Sequence, residues 1–342
     1  MLRRLPVYLL LDVSESMIGP PLAAVEEGVR LMLRALKKNP YALETLFMGI
    51  ITFAAKAEAA VPLKELLSVS PPKLSVRPGT ALGAALSLCG DAIAREVRRS
   101  APGDKGDYRP LVFILTDGAP TDEWRRPAEE LKKSVPRPGL IALGCGEDAE
   151  FGALSEIAET TVRLADLTPE GLESLFSWVS ASLAVSSKAA EAWEGDGGPA
   201  VSLDKAPLGN GLSLVKAGEE PARPPRSRLF LHRACQKTGG LYLAVYRPVP
   251  GSGKYAAAGT HPLPADFLSD GAAPGPPVDV SWLTGTETCP YCGNAGIFFC
   301  DACKATYCRD VRDMSGNYAC SGCSKTYRLS YGGSFKIPGS SG

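Results

Sequence analysis

Hydrophobic and polar positions change rhythm repeatedly along the first half of the chain. PVYLLLDVS is apolar without interruption until Asp12, the pattern of a strand buried on both faces. LAAVEEGVRLMLRALKK instead places Leu22, Val25, Val29, Met32, Leu33 and Leu36 near helical spacing. ETLFMGIITFAAKAEAAVPL predicts two strands or a long hairpin, and GTALGAALSLCGDAIAREVRRS a helix entered through a Pro-Gly turn. PLVFILTDG is a second fully apolar strand that stops at an aspartate. DEWRRPAEELKKS predicts a helix, GLIALGCG a strand, FGALSEIAE a helix and TTVRLADL a strand. TPEGLESLFSWVSASLAVSS closes the series as a helix, with Thr168 as N-cap and Pro169 in its first position. Alternation of this kind predicts an α/β fold, a doubly wound and mostly parallel sheet with helices on both faces.

After residue 185 the rhythm fades. Residues 186–227 are rich in Gly, Pro and charge and read as a linker, inside which VSLDKAPLGNGLSLV could form a small strand pair. RLFLHRACQKTGGLYLAVYR predicts two strands around a Thr-Gly-Gly turn, opening a small β module over 228–282. A Cys-rich domain is expected over 283–332 and a flexible tail over 333–342. No internal repeat stands out. PGSGKY resembles the end of a phosphate loop, but Pro248 replaces its first glycine and Tyr255 its metal-binding hydroxyl, so a turn between strands is the better reading.

Composition narrows the function. The chain has 342 residues, 45% of them hydrophobic and 22% charged, and a formal net charge of zero. Such a balance creates no field for nucleic acid or an anionic membrane. MLRRLPVYLLLDV imitates a signal peptide, yet its apolar stretch is short and ends in Asp12. No apolar run approaches the roughly 20 residues of a membrane span. Ten cysteines are present, seven of them between Cys289 and Cys323; Cys89, Cys145 and Cys235 are scattered. Clustered thiols predict zinc ligation in a reducing compartment, taken as the cytoplasm, rather than a disulfide framework.

The two apolar strands end in Asp12 and Asp117. Side by side in a parallel sheet, their carboxylates would converge at the strand ends where ligands of such folds bind, and would repel unless a cation lay between them. Asp12, Ser14 and Ser16 offer three oxygens from one loop. Few hard oxygen ligands with room for water suit Mg2+, or Mn2+. Asp12-Val13-Ser14-Glu15-Ser16, Thr80 after Pro78-Gly79, and Thr116-Asp117-Gly118 together resemble the metal-ion-dependent adhesion site of von Willebrand factor A domains. The resemblance implies a Rossmann-like fold, hydroxyl ligation by Ser14, Ser16 and Thr80, direct or water-mediated ligation by Asp12 and Asp117, and an open position that takes a carboxylate from a partner protein. Glu15 and Asp122 are the nearby carboxylates a hydrolytic reaction could use, and both read as solvated loop residues.

The cysteine cluster holds three Cys-x-x-Cys pairs, Cys289/Cys292, Cys300/Cys303 and Cys320/Cys323, with Cys308 as the seventh thiol. Two such turns complete a tetrahedral zinc site. One pairing joins Cys289 and Cys292 to Cys320 and Cys323 as a single ribbon. The other joins Cys300 and Cys303 to Cys320 and Cys323, and leaves Cys289, Cys292 and Cys308 seeking a fourth ligand among Asp310, Asp313 and His232. One or two zinc ions follow, as the main support of a small fold. No histidine pair follows the cysteines as in a DNA-binding finger.

An A domain followed by ACQKTGGLYLAVYR and CPYCG resembles the TerY-like proteins of bacterial tellurite-resistance and stress systems. That likeness implies a scaffold role beside a Ser/Thr protein kinase and a PPM-type phosphatase. The expectation is therefore a non-enzymatic, divalent-metal-dependent interaction protein that binds an acidic residue of a partner, with no nucleic acid and no membrane. The alternatives are a metal-dependent hydrolase using the same oxygen cage and an accessory subunit of a AAA-type ATPase.

Overall fold

The computed structural model describes residues 3–102, 104–145, 149, 151–165, 168–191, 212–215, 228–267, 275–311, 317–328 and 336–339. The chain divides into two compact units, residues 1–75 with 80–223 and residues 76–79 with 224–342.

The first unit is built on a seven-stranded sheet. Its strands are β1 (Leu5–Asp12), β2 (Leu46–Phe53), β3 (Ala57–Glu65), β4 (Leu111–Thr116), β5 (Gly139–Cys145), β6 (Thr160–Leu164) and β7 (Leu212–Val215), in the order β3-β2-β1-β4-β5-β6-β7. β3 and β7 run antiparallel to their neighbours and the other pairings are parallel. The helices are α1 (Pro20–Leu36), α2 (Pro40–Thr45), α3 (Leu82–Glu96), α4 (Arg125–Lys133), α5 (Phe151–Ile157) and α6 (Pro169–Glu191). Strand residues alternate between two cores because successive side chains point to opposite faces. Leu9, Leu11, Phe113 and Leu143 join the core under α1 and α6, while Leu10, Ile114 and Ala142 join the core under α3, α4 and α5. This is the doubly wound architecture that the alternating pattern predicts. Thr168 caps α6 as expected, its Oγ1 accepting from the Gly171 N–H at 3.2 Å.

Three local readings change. The helix expected to run on through Ser100 ends at Glu96, because the next turn is drawn aside: the Arg98 N–H donates to Asp107 Oδ2 at 2.7 Å. The short α2 went unpredicted; Asn39 caps it, accepting from the Ala42 N–H at 3.1 Å, and Pro40 starts it. Within the expected linker, α6 extends to Glu191 and Leu212–Val215 adds a strand to the sheet edge beside β6. The other half of the suggested strand pair lies outside the described residues, as does most of the linker.

The second unit holds β8 (Leu229–Ala234), β9 (Leu241–Val249), β10 (Lys254–Pro262), β11 (Gly275–Asp279), β12 (Leu283–Thr284), β13 (Gly296–Phe299), β14 (Thr306–Arg309), β15 (Asn317–Ala319), β16 (Thr326–Arg328) and β17 (Lys336–Gly339). Six of these form one sheet in the order β12-β10-β9-β8-β14-β13. The expected border at 282 is thus crossed by the sheet itself, since β14 pairs with β8 through Tyr307 and Ala234. PGSGKY lies at the turn between β9 and β10, as read. Residues 336–339, expected in a loose tail, pair antiparallel with β11 and bury Ile337 against Leu229, Leu231 and Tyr246. Apolar burial outweighed the Gly/Ser-rich composition there. Beneath the sheet, Arg233 and Glu287 form a buried ion pair at 3.0 Å, with Tyr246 Oη accepting from Arg233 at 2.6 Å.

Candidate functional site

Two sites emerge, one at the carboxyl edge of the first sheet and one along the cysteines of the second unit.

In the first, β1 and β4 lie side by side with Leu11 opposite Leu115, so the chain delivers Asp12 and Asp117 to the same edge. Both carboxylates are fully buried. Asp12 Oδ1 accepts from the Ser14 N–H at 2.9 Å, which curls the loop back over the strand end, and Asp12 Oδ2 accepts from Thr116 Oγ1 at 2.5 Å. Ser14 Oγ lies 2.8 Å from Ser16 Oγ, and Ser16 Oγ donates to Asp117 Oδ1 at 2.5 Å. One hydrogen-bonded chain of oxygens therefore runs from the β1 loop to the end of β4. Burial, and then repulsion from Asp117, pushes the Asp12 carboxyl up from the usual carboxylate range to about 7, against the opposing pull of Thr116 and Ser14.

Thr80 arrives on the third loop. Gly79 takes a φ of 77°, a value natural to glycine, to make the entry turn. Thr80 and Thr121 then pin each other: Thr121 Oγ1 accepts from the Thr80 N–H at 3.0 Å, and the Thr121 N–H donates to the Thr80 carbonyl at 2.9 Å. Yet Thr80 Oγ1, wholly buried, has no hydrogen-bond partner. A buried hydroxyl left unsatisfied is costly, by roughly 1–3 kcal/mol. An orphaned hydroxyl beside two repelling carboxylates is the donor set of a hard divalent cation, and Asp12, Ser14, Ser16, Thr80 and Asp117 fit one.

The two other carboxylates depart from the sequence reading. Glu15 is not solvated but fully buried. Asp122 caps α3, its two oxygens accepting from the Gly83 and Ala84 N–H groups at 2.9 Å each. An oxygen already committed to a helix N-terminus is a poor general base.

In the second unit the thiols gather into two groups of four, Cys235 with Cys289, Cys292 and Cys308, and Cys300 with Cys303, Cys320 and Cys323; within each group the sulfurs lie within 4.8 Å of one another. Closest approaches are 3.5 Å for Cys292–Cys308 and for Cys300–Cys323, and 3.6 Å for Cys303–Cys320. A tetrahedron with Zn–S near 2.3 Å has edges of about 3.8 Å, whereas a disulfide would need about 2.05 Å. Both groups fit zinc. Burial raises the Cys235 and Cys300 thiols, but hydrogen bonds, from Thr238 and the Lys237 N–H at Cys235 and from the Cys303 N–H and Tyr327 at Cys300, outweigh it and bring each to about 6, on the thiolate side of neutrality.

Of the two pairings left open by the sequence, the structure takes the interleaved one. The fourth partner of Cys289, Cys292 and Cys308 is neither Asp310 nor His232; Asp313 lies outside the described residues. It is Cys235, which the sequence reading set aside as scattered. The pairing of Ala234 with Tyr307 explains it, because the next residue on each strand is a cysteine of the group. A local signal was present. At Cys289, Cys300 and Cys320 the cysteine N–H bonds the carbonyl five residues on, and its own carbonyl accepts from the N–H four residues on. Cys235 repeats that turn, with Gly240 O at 2.8 Å and the Gly239 N–H at 2.8 Å. The residue four after each cysteine has positive φ: Gly239 72°, Gly293 74°, Lys304 60° and Ser324 61°. CQKTG is thus CPYCG with threonine in place of the second cysteine, and among the described residues of the unit one turn occurs four times, a repeat too short to register by self-similarity. Cys89 and Cys145 stand apart as buried core residues of the first unit.

The comparisons with known proteins address the first unit. Residues 7–175 match the family model described as von Willebrand factor type A domain. Among solved structures, proximal thread matrix protein 1 from the mussel byssus is 19% identical, over 53% of this chain and 48% of its own, with a TM-score of 0.39. BatB from Bacteroides thetaiotaomicron is 19% identical over 53% of this chain and 98% of its own, with a TM-score of 0.36. The pilus adhesin SpaC from Lactobacillus rhamnosus GG is 14% identical over 53% and 31%, with a TM-score of 0.44. This chain spans about half the length of the mussel protein. No curated protein sequence matches it. Among the described residues, no helix is long and apolar enough to cross a membrane.

Proposed function

We propose that the von Willebrand factor type A domain over residues 7–175 works as a divalent-metal-dependent protein-binding head, carried on a zinc-supported second unit. Asp12, Ser14, Ser16, Thr80 and Asp117 would hold Mg2+ or Mn2+. The ion supplies positive charge between the carboxylates and an electrophilic position for a carboxylate from a partner. The chain's own residues prepare that position. Ser14 and Ser16 tie the loop to Asp117, Thr116 fixes the Asp12 carboxylate, and the Thr121 clasp holds the Thr80 backbone in place. The observation that carries the reading is the unpartnered Thr80 Oγ1 beside the buried carboxylate pair. Neutral hydroxyls outnumber carboxylates in this set, which leaves an ion hungry for an external acid rather than neutralised. With Asp122 engaged as a cap, binding rather than hydrolysis is the reading, and the protein is not an enzyme.

The zinc groups, Cys235/Cys289/Cys292/Cys308 and Cys300/Cys303/Cys320/Cys323, would hold two ions in a structural role, joining short strands that bury little apolar surface of their own. Two cysteine-ligated ions favour a reducing compartment such as the cytoplasm. The likeness to TerY-like proteins points to a bacterial tellurite-resistance or stress system in which this chain would scaffold a Ser/Thr protein kinase and a PPM-type phosphatase.

Titration calorimetry with MgCl2 and MnCl2 on the full, zinc-loaded chain tests the metal, and affinity capture of wild type beside Asp117→Ala tests the partner. Metal binding lost in Asp117→Ala, together with loss of the captured proteins, is expected. Unchanged metal affinity in that variant would overturn the site; unchanged capture would overturn its role.

A further inference from the structure

We propose that the opposite edge of the first sheet carries a second ligand site, one that takes a phosphorylated small molecule. The amino ends of the parallel strands meet there, and basic residues sit at almost every approach: Arg3 just before β1, Arg109 before β4, Arg137 before β5, and Arg98 and Arg99 after the end of α3. All five line one cleft of about 710 Å³. That volume falls in the small-molecule range of roughly 300–1,000 Å³. Strand β1, which reaches from this edge to Asp12, is 8 residues long, so the two sites stand about 25 Å apart.

Arginines outnumber carboxylates in the lining. Its two carboxylates are Asp107 and Glu159. Asp107 is claimed by Arg4, which forks onto both its oxygens from outside the lining, and by the Arg98 N–H. Glu159 Oε1 is shared by Arg109 at 2.5 Å and Arg137 at 3.3 Å. Five arginines thus line a cleft whose own lining offers two carboxylates, one paired with Arg4 from outside it and the other shared by Arg109 and Arg137. Converged like charges repel, and an anion entering among them removes that cost. Guanidinium forks match phosphate oxygens geometrically as well as electrostatically.

Part of this set is held in advance. Arg109 Nη2 donates to the Pro138 carbonyl at 2.8 Å and its Nε to the Arg137 carbonyl at 3.1 Å, while Arg3 Nε bonds the Gly106 carbonyl at 2.9 Å and stacks on Tyr108. Side chains fixed before binding lose little entropy on binding. Beside the arginines the wall is apolar: Val135, 64% exposed, and Pro136. Guanidinium forks next to an exposed apolar shelf call for a phosphate monoester on an organic body rather than for phosphate alone.

Adenosine monophosphate and inorganic phosphate serve as probes, titrated calorimetrically into the full zinc-loaded chain without added magnesium. Adenosine monophosphate should bind with a Kd below about 1 mM, and inorganic phosphate more weakly. Arg99→Gln with Arg137→Gln, both on exposed positions, should weaken both probes at least tenfold while the melting temperature stays near that of wild type. Val135→Ser should weaken adenosine monophosphate and leave inorganic phosphate unchanged, and Asp117→Ala should change neither. Failure of wild type to bind either probe, or equal binding by wild type and the double arginine variant, overturns the proposal and leaves the arginines as complements to the carboxyl end of α3. If Val135→Ser binds both probes as wild type does, the organic-body part falls.

Discussion

If each cysteine group holds one zinc ion, as proposed, replacing Cys235 with alanine should lower the zinc content from two ions to one. Cys235 is fully buried between β8 and the group formed by Cys289, Cys292 and Cys308. Structural four-ligand zinc sites contribute about 10–16 kcal/mol of apparent binding free energy. One ligand in four is then worth on the order of 3 kcal/mol, or more than a hundredfold in affinity. The effect should also reach the fold. Cys235 directly follows β8 and Cys308 belongs to β14, and those two strands are paired at a single register position, Ala234 with Tyr307. With so thin a ladder, a zinc ion shared by these thiolates would add the main tie between the β13–β14 hairpin and the larger sheet. Zinc per chain, measured by elemental analysis after dialysis, should fall from two to one, and the thermal transition of the second unit should move down. Cys145→Ala, which removes an equally buried thiol from the first unit, should leave two zinc ions in place. Thr238 offers the converse test, since it occupies the second ligand position of the turn that begins at Cys235. In a Cys308→Ser background, Thr238→Cys should restore the second ion. Two zinc ions retained by Cys235→Ala at unchanged melting temperature would refute the grouping.

The two zinc groups should also differ in lability: Cys303 and Cys323 are exposed, whereas Cys235, Cys289 and Cys308 are buried, so a chromogenic chelator should take up zinc in two phases, and Cys323→Ser should abolish the fast one. Thr80→Val should separate stability from binding, because removing an unpartnered buried hydroxyl stabilises the metal-free protein by about 1 kcal/mol while weakening magnesium binding at least tenfold; a variant both less stable and metal-competent contradicts the role given to Thr80. The raised Asp12 carboxyl gives a pH dependence of definite sign. A folded-state value near 7 against an unfolded value of 3.8 means that the folded protein holds this proton more tightly, so the contribution of Asp12 to metal-free stability is greatest below about pH 4 and is lost as pH rises toward 7, by up to roughly 4 kcal/mol. Magnesium competes with that proton, so the rise in melting temperature on adding MgCl2 should be larger at pH 8 than at pH 5.5; equal rises would refute the linkage.

Much of the first unit was legible because its signals are local. Apolar strands that end in aspartate, a helical spacing of Val25, Val29 and Met32, and a Thr-Pro helix start are each readable within ten residues, and the doubly wound sheet follows from their alternation. Of the five oxygen-bearing residues proposed for the metal, Asp12 and Asp117 are suggested by the apolar strands they end and Ser14 and Ser16 by their loop spacing, whereas Thr80 enters only through the family resemblance. Glu15 was misread because its burial depends on how its loop folds over the sheet edge. Asp122 was misread because a cap is defined by the helix it meets, here almost 40 residues earlier in the chain.

Composition misleads in both units. Gly- and Ser-rich stretches predict linker or tail, yet Leu212–Val215 pairs with β6 at the edge of the first unit's sheet, where an open edge recruits a strand whatever flanks it, and Lys336–Gly339 pairs with β11 in a two-stranded ribbon that buries Ile337. The missed cysteine is the more instructive case. Counting Cys-x-x-Cys pairs treats the second thiol as the signature, whereas what the backbone requires is a tight turn with a residue of positive φ four places after the first thiol. Three turns meet that need with a thiol in the second position, and one meets it with Thr238. At that turn Cys308 supplies the missing sulfur from a neighbouring strand, a partner that only the pairing of β8 with β14 could name. An odd thiol left over from paired motifs therefore marks an incomplete site, and its partner is best sought at a Cys-x-x-x-Gly turn elsewhere in the chain.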